Sequence, residues 1–173
     1  MISSVELKKI TTLIFDIDGT LTDGRAGYMV DGQVVKFFDH HDMHWIKLAL
    51  RCGLKVAIIS GGDDFAGRHL VEILGIAWAR FGVKNKLAAF EELLVQGNIR
   101  PDECLYLGDD VVDMPVIRRA GIGAAVGDAV PELDECADFR TVAPGGRGAA
   151  KEVITMVLKA KNLYDTIMER YRK

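Results

Sequence analysis

Asp16 and Asp18 stand two residues apart where the apolar run Leu13-Ile14-Phe15 breaks into Gly19-Thr20-Leu21-Thr22-Asp23-Gly24. A carboxylate at a strand end can attack a phosphate dianion only if a cation cancels their mutual repulsion. A hard, oxygen-seeking ion such as Mg2+ is therefore implied, and its charge keeps the nucleophile ionised at neutral pH. On this reading Asp16 attacks phosphorus and forms an aspartyl-phosphate. Asp18 is the general acid and base that protonates the leaving alcohol and then activates water. Gly19 lets the chain turn sharply, and the Gly19 and Thr20 amides are expected to be free to hold phosphate oxygens. A calcium loop is excluded by spacing: its glycine belongs at the sixth position and an acid at the twelfth, where this chain has Leu21 and Gly27.

Three more pieces of such a site follow, each tied to the end of an apolar run. The stretch Leu54-Lys55-Val56-Ala57-Ile58-Ile59 ends in Ser60-Gly61-Gly62, where a hydroxyl and flexible amides would bind phosphate. Lys86 opens a helical stretch and would neutralise both the phosphate and the attacking carboxylate. Cys104-Leu105-Tyr106-Leu107 ends in Gly108-Asp109-Asp110, with Asp113 shortly after, acids that would complete a metal shell. Taken singly, Ser60 reads as a turn residue, Lys86 as a solvated helix start and Asp109 as a cap. Their recurrence at strand ends argues for one constellation, with Asp16, Asp18, Ser60 and Lys86 as its catalytic members.

Those segments meet only if the strands are parallel and present their carboxyl ends on one edge of an open sheet. Strand and helix patterns do alternate, which predicts an α/β doubly wound sheet with right-handed crossovers. Helices are expected over 42–52 and 63–74, each stopped by glycine, and over 86–96, 115–120 and 131–136, with a last one from about 148. Strands are expected over 76–81, 122–126 and 139–142. Between Tyr28 and Phe37, Asp31-Gly32 flanked by apolar β-formers signals a hairpin. The glycines of Gly121-Ile122-Gly123-Ala124-Ala125-Val126-Gly127 flank a strand and do not join a strand to a helix, so a dinucleotide fingerprint lacks its context. His40 and His44 would share a helix face, but a helix beginning at Asp42 leaves His40 outside it, and a surface loop is expected there.

The chain has 173 residues, 49% hydrophobic and 27% charged, which suits a single domain over residues 1–173 with a substantial core. A net charge of −3 without a basic cluster gives no reason to expect nucleic acid or an anionic membrane as partner. Cys52, Cys104 and Cys136 are odd in number and form no Cys-x-x-Cys pair, as in a reducing compartment. The first residues lack the apolar core of a signal peptide, so a cytoplasmic location is expected.

The strand-end Asp16-x-Asp18-Gly-Thr, Ser60-Gly61, Lys86 and Gly108-Asp109-Asp110, in this order, resemble the four motifs of the haloacid dehalogenase superfamily. The chain further resembles its 3-deoxy-D-manno-octulosonate (KDO) 8-phosphate phosphatases in the hairpin, Asn85-Lys86-Leu87, Asp113 and Gly145-Gly146-Arg147-Gly148. The resemblance implies a Rossmann-like sheet with a hairpin flap and no cap domain. It also implies Mg2+ held by the Asp16 and Asp109 side chains and the Asp18 carbonyl, a small phosphorylated sugar or sugar acid as substrate, and a homotetramer joined by its hairpins. Gly19, Thr20, Gly61, Asp42, Lys47 and Arg147 become candidate substrate contacts. The related enzymes carry two arginines where this chain has Gly62 and Leu70, with Asp63 and Asp64 adding negative charge, which leaves phosphatase chemistry intact but not octulosonate recognition; a nonulosonate 9-phosphate is the alternative substrate. A receiver-type regulatory domain uses similar acids but lacks one at the place of Asp18. A degenerate partner of a sugar-nucleotide synthase is the remaining alternative.

Overall fold

The computed structural model describes residues 2–172. Helix α1 (Ser4–Lys9) opens on a capping box in which the Glu6 amide donates to Ser3 Oγ and the Ser3 amide to Glu6 Oε2. Strand β1 (Thr12–Phe15) follows, then a hairpin of β2 (Gly27–Tyr28) and β3 (Val34–Val35), and helix α2 (His40–Arg51). The chain continues through β4 (Lys55–Ile59), α3 (Phe65–Leu74), β5 (Trp78–Arg80), α4 (Lys86–Gly97) and β6 (Cys104–Gly108). It finishes with α5 (Met114–Arg119), β7 (Ile122–Ala125), β8 (Phe139–Arg140), α6 (Ala149–Ala160) and α7 (Tyr164–Glu169).

Six strands form one sheet in the order β5-β4-β1-β6-β7-β8, every pair parallel. Alternate side chains of the buried strands go to opposite faces. Leu13, Phe15, Val56, Ile58, Leu105 and Leu107 pack with residues of α2, α3 and α6, among them Ile46, Leu70 and Val153. Ile14, Ala57, Ile59 and Tyr106 pack with Phe90 and Leu93 of α4 and Val116 and Ile117 of α5. Each such aliphatic or phenyl side chain, fully buried, contributes about 1.5–3 kcal/mol. From β1 the chain builds outward to β4 and β5, then returns to β6 and builds the other way. This reversal between β1 and β6 is the kind of switch point at whose strand carboxyl ends open α/β sheets bind ligands.

The doubly wound sheet, the hairpin and the absence of a separate cap agree with the sequence-based expectation, and the differences lie at element ends. Helix α2 begins at His40, two residues early, because Asp39 caps it by accepting from the His41 and Asp42 amides. The segment 131–136 is a 3-10 turn, Pro131–Glu135. The hairpin strands are only two residues each, Gly27 opposite Val35 and Tyr28 opposite Val34, and Tyr28, Met29, Val30 and Phe37 are exposed around them. No described helix is long and apolar enough to cross a membrane.

Candidate active site

Asp16 follows β1, Ser60 follows β4, Gly108 and Asp109 end β6, and Lys86 opens α4 beyond β5, so all four predicted segments reach the same edge of the sheet. Lys86 is the hub. Its Nζ lies 2.9 Å from Asp16 Oδ1 and donates to Asp113 Oδ1 at 2.6 Å, with the lysine only 5% exposed. Burial opposes the Lys86 charge, but Asp16 and Asp113 outweigh it and raise the ammonium pKa above its ordinary value.

Ligand atoms of Asp16, Asp109 and Asp113 lie within 4.8 Å of one another. Burial, with the charge of Asp113 added and that of Lys86 opposing, pushes Asp16 up to about 6. Burial and the charges of Asp16 and Asp113 push Asp109 up to about 8. Three carboxylates facing one ammonium therefore make a set short of positive charge, as a divalent ion would supply. Two observations fit such an ion. Asp16 Oδ1 is buried and, apart from its ion pair with Lys86, has no polar partner among the described residues. A Cβ at Gly19, where φ is +84°, would sit 1.9 Å from Asp109 Oδ2, so only glycine leaves that oxygen its place. All-oxygen donors suit Mg2+.

Within the triad the roles divide. Asp113 is fully buried and already accepts four bonds: Lys86 Nζ and Tyr106 Oη on Oδ1, the Asp109 and Asp110 amides on Oδ2. Its oxygens are thereby saturated, whereas Asp16 and Asp109 accept fewer bonds and keep oxygens open toward an ion. Thr20 Oγ1 donates to Asp109 Oδ1 at 3.0 Å and fixes that carboxylate's rotation. Asp110, grouped with the metal acids on sequence grounds, instead caps the turn Val111–Asp113 through the Val111 amide.

The phosphate cradle differs from expectation. The Thr20 amide donates to the Ile17 carbonyl and the Gly19 amide to Thr22 Oγ1, so neither is free. At this edge the Asp18 and Gly61 amides make no hydrogen bond among the described residues. Ser60 is buried and its Oγ accepts from the Gly62 amide, leaving the hydroxyl proton to donate.

Three candidate substrate contacts are placed elsewhere or stand apart. Asp42 is buried and receives the Gly148 and Lys151 amides at 3.0 and 2.7 Å, so its carboxylate caps α6. Lys47 sits on α2, and among the described residues it makes no hydrogen bond or ion pair to Asp16, Asp109 or Asp113. Arg147 is largely exposed, 4.0 Å from Asp23 Oδ2, in the turn Gly145-Gly146-Arg147-Gly148. That turn presses on the catalytic loop: the Gly146 amide donates to Thr20 O, and a Cβ at Gly145 would meet Gly19 O at 1.7 Å. His40 and His44 do share a helix, yet the metal-competent cluster among the described residues holds no histidine, and His44 packs edge-on against Tyr171.

One participant was missed from sequence. Lys36, just past β3, lies 2.6 Å from Asp18 Oδ1 and 2.5 Å from Asp64 Oδ2 with its side chain 6% exposed. Burial works against its charge, but the two carboxylates prevail and raise its pKa. Asp64 is thereby neutralised, and Asp63 is paired with Arg68 at 2.7 Å, so neither adds the bare negative charge expected of it. The signal available was an apolar hairpin strand ending in a lone lysine.

A family model described as haloacid dehalogenase-like hydrolase matches residues 82–152. The chain is 39% identical over 158 residues to the 3-deoxy-D-manno-octulosonate 8-phosphate phosphatase KdsC of Escherichia coli (strain K12), covering 91% of this chain and 84% of that one. The chain belongs to the haloacid dehalogenase-like hydrolases. Within them it stands among phosphatases. The crystal structure of the KDO 8-phosphate phosphatase from Yersinia pestis aligns with a TM-score of 0.91 and 33% identity, covering 94% of this hydrolase and 88% of that chain. That from Moraxella catarrhalis, in complex with magnesium ion, phosphate ion and KDO, aligns with a TM-score of 0.94 and 30% identity over 97% of both chains.

Proposed function

We propose that the protein is a Mg2+-dependent phosphomonoesterase that hydrolyses a small phosphorylated sugar acid, with KDO 8-phosphate as the first candidate. The observation that carries this reading is Lys86 held between Asp16 and Asp113 beside Asp109, with Asp18 one turn of chain from the nucleophile. The names of the relatives supply the substrate class. The Asp16 and Asp109 side chains and the Asp18 carbonyl would hold Mg2+, which supplies neutralising charge between nucleophile and phosphate.

One Asp16 oxygen forms a bond to phosphorus as the bond to the leaving oxygen breaks, and that oxygen takes the proton of Asp18. Lys86, Ser60 and the Asp18 and Gly61 amides hold the phosphoryl oxygens. Asp18 then removes a proton from a water that attacks phosphorus, which releases inorganic phosphate and restores Asp16. Asp18 is what separates this site from a phospho-accepting receiver, whose acyl phosphate must persist.

A nonulosonate 9-phosphate is the alternative substrate, because Gly62 and Leu70 stand where the resemblance to KDO 8-phosphate phosphatases leads one to expect arginines. The exposed Tyr28, Met29, Val30 and Phe37 of the hairpin suit subunit contacts in a homotetramer, which would also screen an uncapped site from water. A cytoplasmic location accords with three free thiols.

The test is phosphate release from KDO 8-phosphate, a nonulosonate 9-phosphate and an aryl phosphate. We expect release that depends on Mg2+, stops on chelation, and is most efficient with one of the sugar acids. With Asp18→Asn and the aryl phosphate, whose leaving group needs no proton, phosphoenzyme should accumulate while steady-state turnover stalls. No release from any of the three in Mg2+ overturns the reading.

A further inference from the structure

Building on that reading, we propose that Lys36 is a positioning residue for Asp18, anchored by Asp64, and that through it the hairpin sets the efficiency of proton transfer to the leaving group. Asp18 stands much further out than the nucleophile: its side chain is 43% exposed, against 7% for Asp16. A mobile carboxylate transfers protons poorly, since general acid catalysis requires the donor within hydrogen-bond reach of the leaving oxygen.

The structure restrains Asp18 from one side only. Lys36 Nζ meets its Oδ1 at 2.6 Å, which leaves Oδ2 for the substrate. Lys36 is itself fixed at both ends. Its backbone follows Val35, which pairs with Gly27 across the hairpin, and its ammonium meets Asp64 Oδ2. Asp64 cannot swing away, because its Oδ1 accepts the Gly67 amide at 2.9 Å as the cap of α3. Gly62 completes the enclosure: a Cβ there would lie 2.9 Å from Asp18 Oδ2 and 3.6 Å from Lys36 Nζ. Hairpin, α3 and catalytic loop thus converge on one ammonium that touches neither the Asp16 carboxylate nor the acid triad.

Positioning of an acid has a signature that general weakening of the fold lacks. A nitrophenolate leaves without a proton, whereas a sugar alkoxide needs one. Lys36→Met, similar in length and uncharged, should therefore lower the single-turnover rate of enzyme phosphorylation by a sugar phosphate about 10-fold or more, part of the ~10²–10⁴ that general acid catalysis supplies. With p-nitrophenyl phosphate that rate should change less than about 2-fold, and KM should hold for both. Lys36→Arg should recover part of the loss, and Asp64→Asn, reaching the same ammonium from its anchor, should reproduce the leaving-group dependence. In an Asp18→Asn background, Lys36→Met should add nothing. Mg2+ affinity measured by calorimetry should be unaltered in Lys36→Met. Equal slowing of both substrates, or an undiminished effect in the Asp18→Asn background, overturns the proposal while leaving the phosphatase reading intact. Wild-type protein inert toward every phosphate ester in Mg2+ removes both.

Discussion

The deep and the outer halves of the site are built on opposite plans. In the deep half, Asp16, Lys86, Asp113 and Tyr106 are buried at the ends of central strands or packed against them, and Asp113 alone accepts four bonds. In the outer half, Asp18 is two-fifths exposed and its ion-pair partner comes from a hairpin whose strands are two residues long. The difference follows the chemistry. Attack on phosphorus needs a fixed nucleophile in a dry, electrostatically prepared pocket. Proton transfer to an incoming sugar needs a group that the substrate can reach, and restraint supplied from outside the sheet.

The comparison breaks most visibly at the nucleophile. Asp16→Asn should reduce phosphate release on the order of 10⁴-fold or more, the scale of losing a nucleophile; wild-type turnover would move the chemistry away from the deep half. Lys86→Met comes next, because it leaves two buried carboxylates with no cation. We expect a loss of about 3 kcal/mol in urea unfolding of the metal-free protein, at the low end for breaking a buried pair since the orphaned acids can take up protons. A change under about 0.5 kcal/mol, as for a surface substitution, would show the hub to be solvated.

The metal and pH come third. Asp16 at about 6 and Asp109 at about 8 both lie above the ordinary 3.8, so the folded metal-free protein retains protons that the unfolded chain gives up. Their contribution to stability is whole below about pH 4 and is lost as pH climbs through 6 towards 8. Thermal unfolding followed from pH 5 to 8 in EDTA should show this decline. Mg2+ at about 100 times its Kd should return about 2.7 kcal/mol at pH 8. A flat profile in EDTA would mean that the acids are less confined than the structure shows. The smallest effect belongs to the outer half: Asp64→Asn retains a capping side chain and should cost only about 1 kcal/mol. A cost matching Lys86→Met would erase the distinction between the halves.

What was legible in the sequence follows the same division. Apolar runs ending in Asp16, Ser60 and Asp109 could be read because a parallel sheet presents its strand ends together, so local pattern implied global convergence. Lys36 could not, since its partners Asp18 and Asp64 lie on separate segments with no periodicity linking them. The error over the Gly19 and Thr20 amides was local: a tight turn can satisfy its own donors, and here Ile17 O and Thr22 Oγ1 do so. Asp42 was misassigned because capping a helix more than a hundred residues away leaves no mark in the neighbouring sequence. The Ser3 to Glu6 capping box and the Asp39 cap went unread although their spacing was local, and they set the starts of α1 and α2.

The turn at Gly145 and Gly146 lies against Gly19 and Thr22 main chain to main chain, with no intervening side chain to yield. Any torque on α6 is therefore handed directly to the loop beside the nucleophile. A label or a fused domain placed after residue 160 would report on the main chain around Gly19 and Thr20.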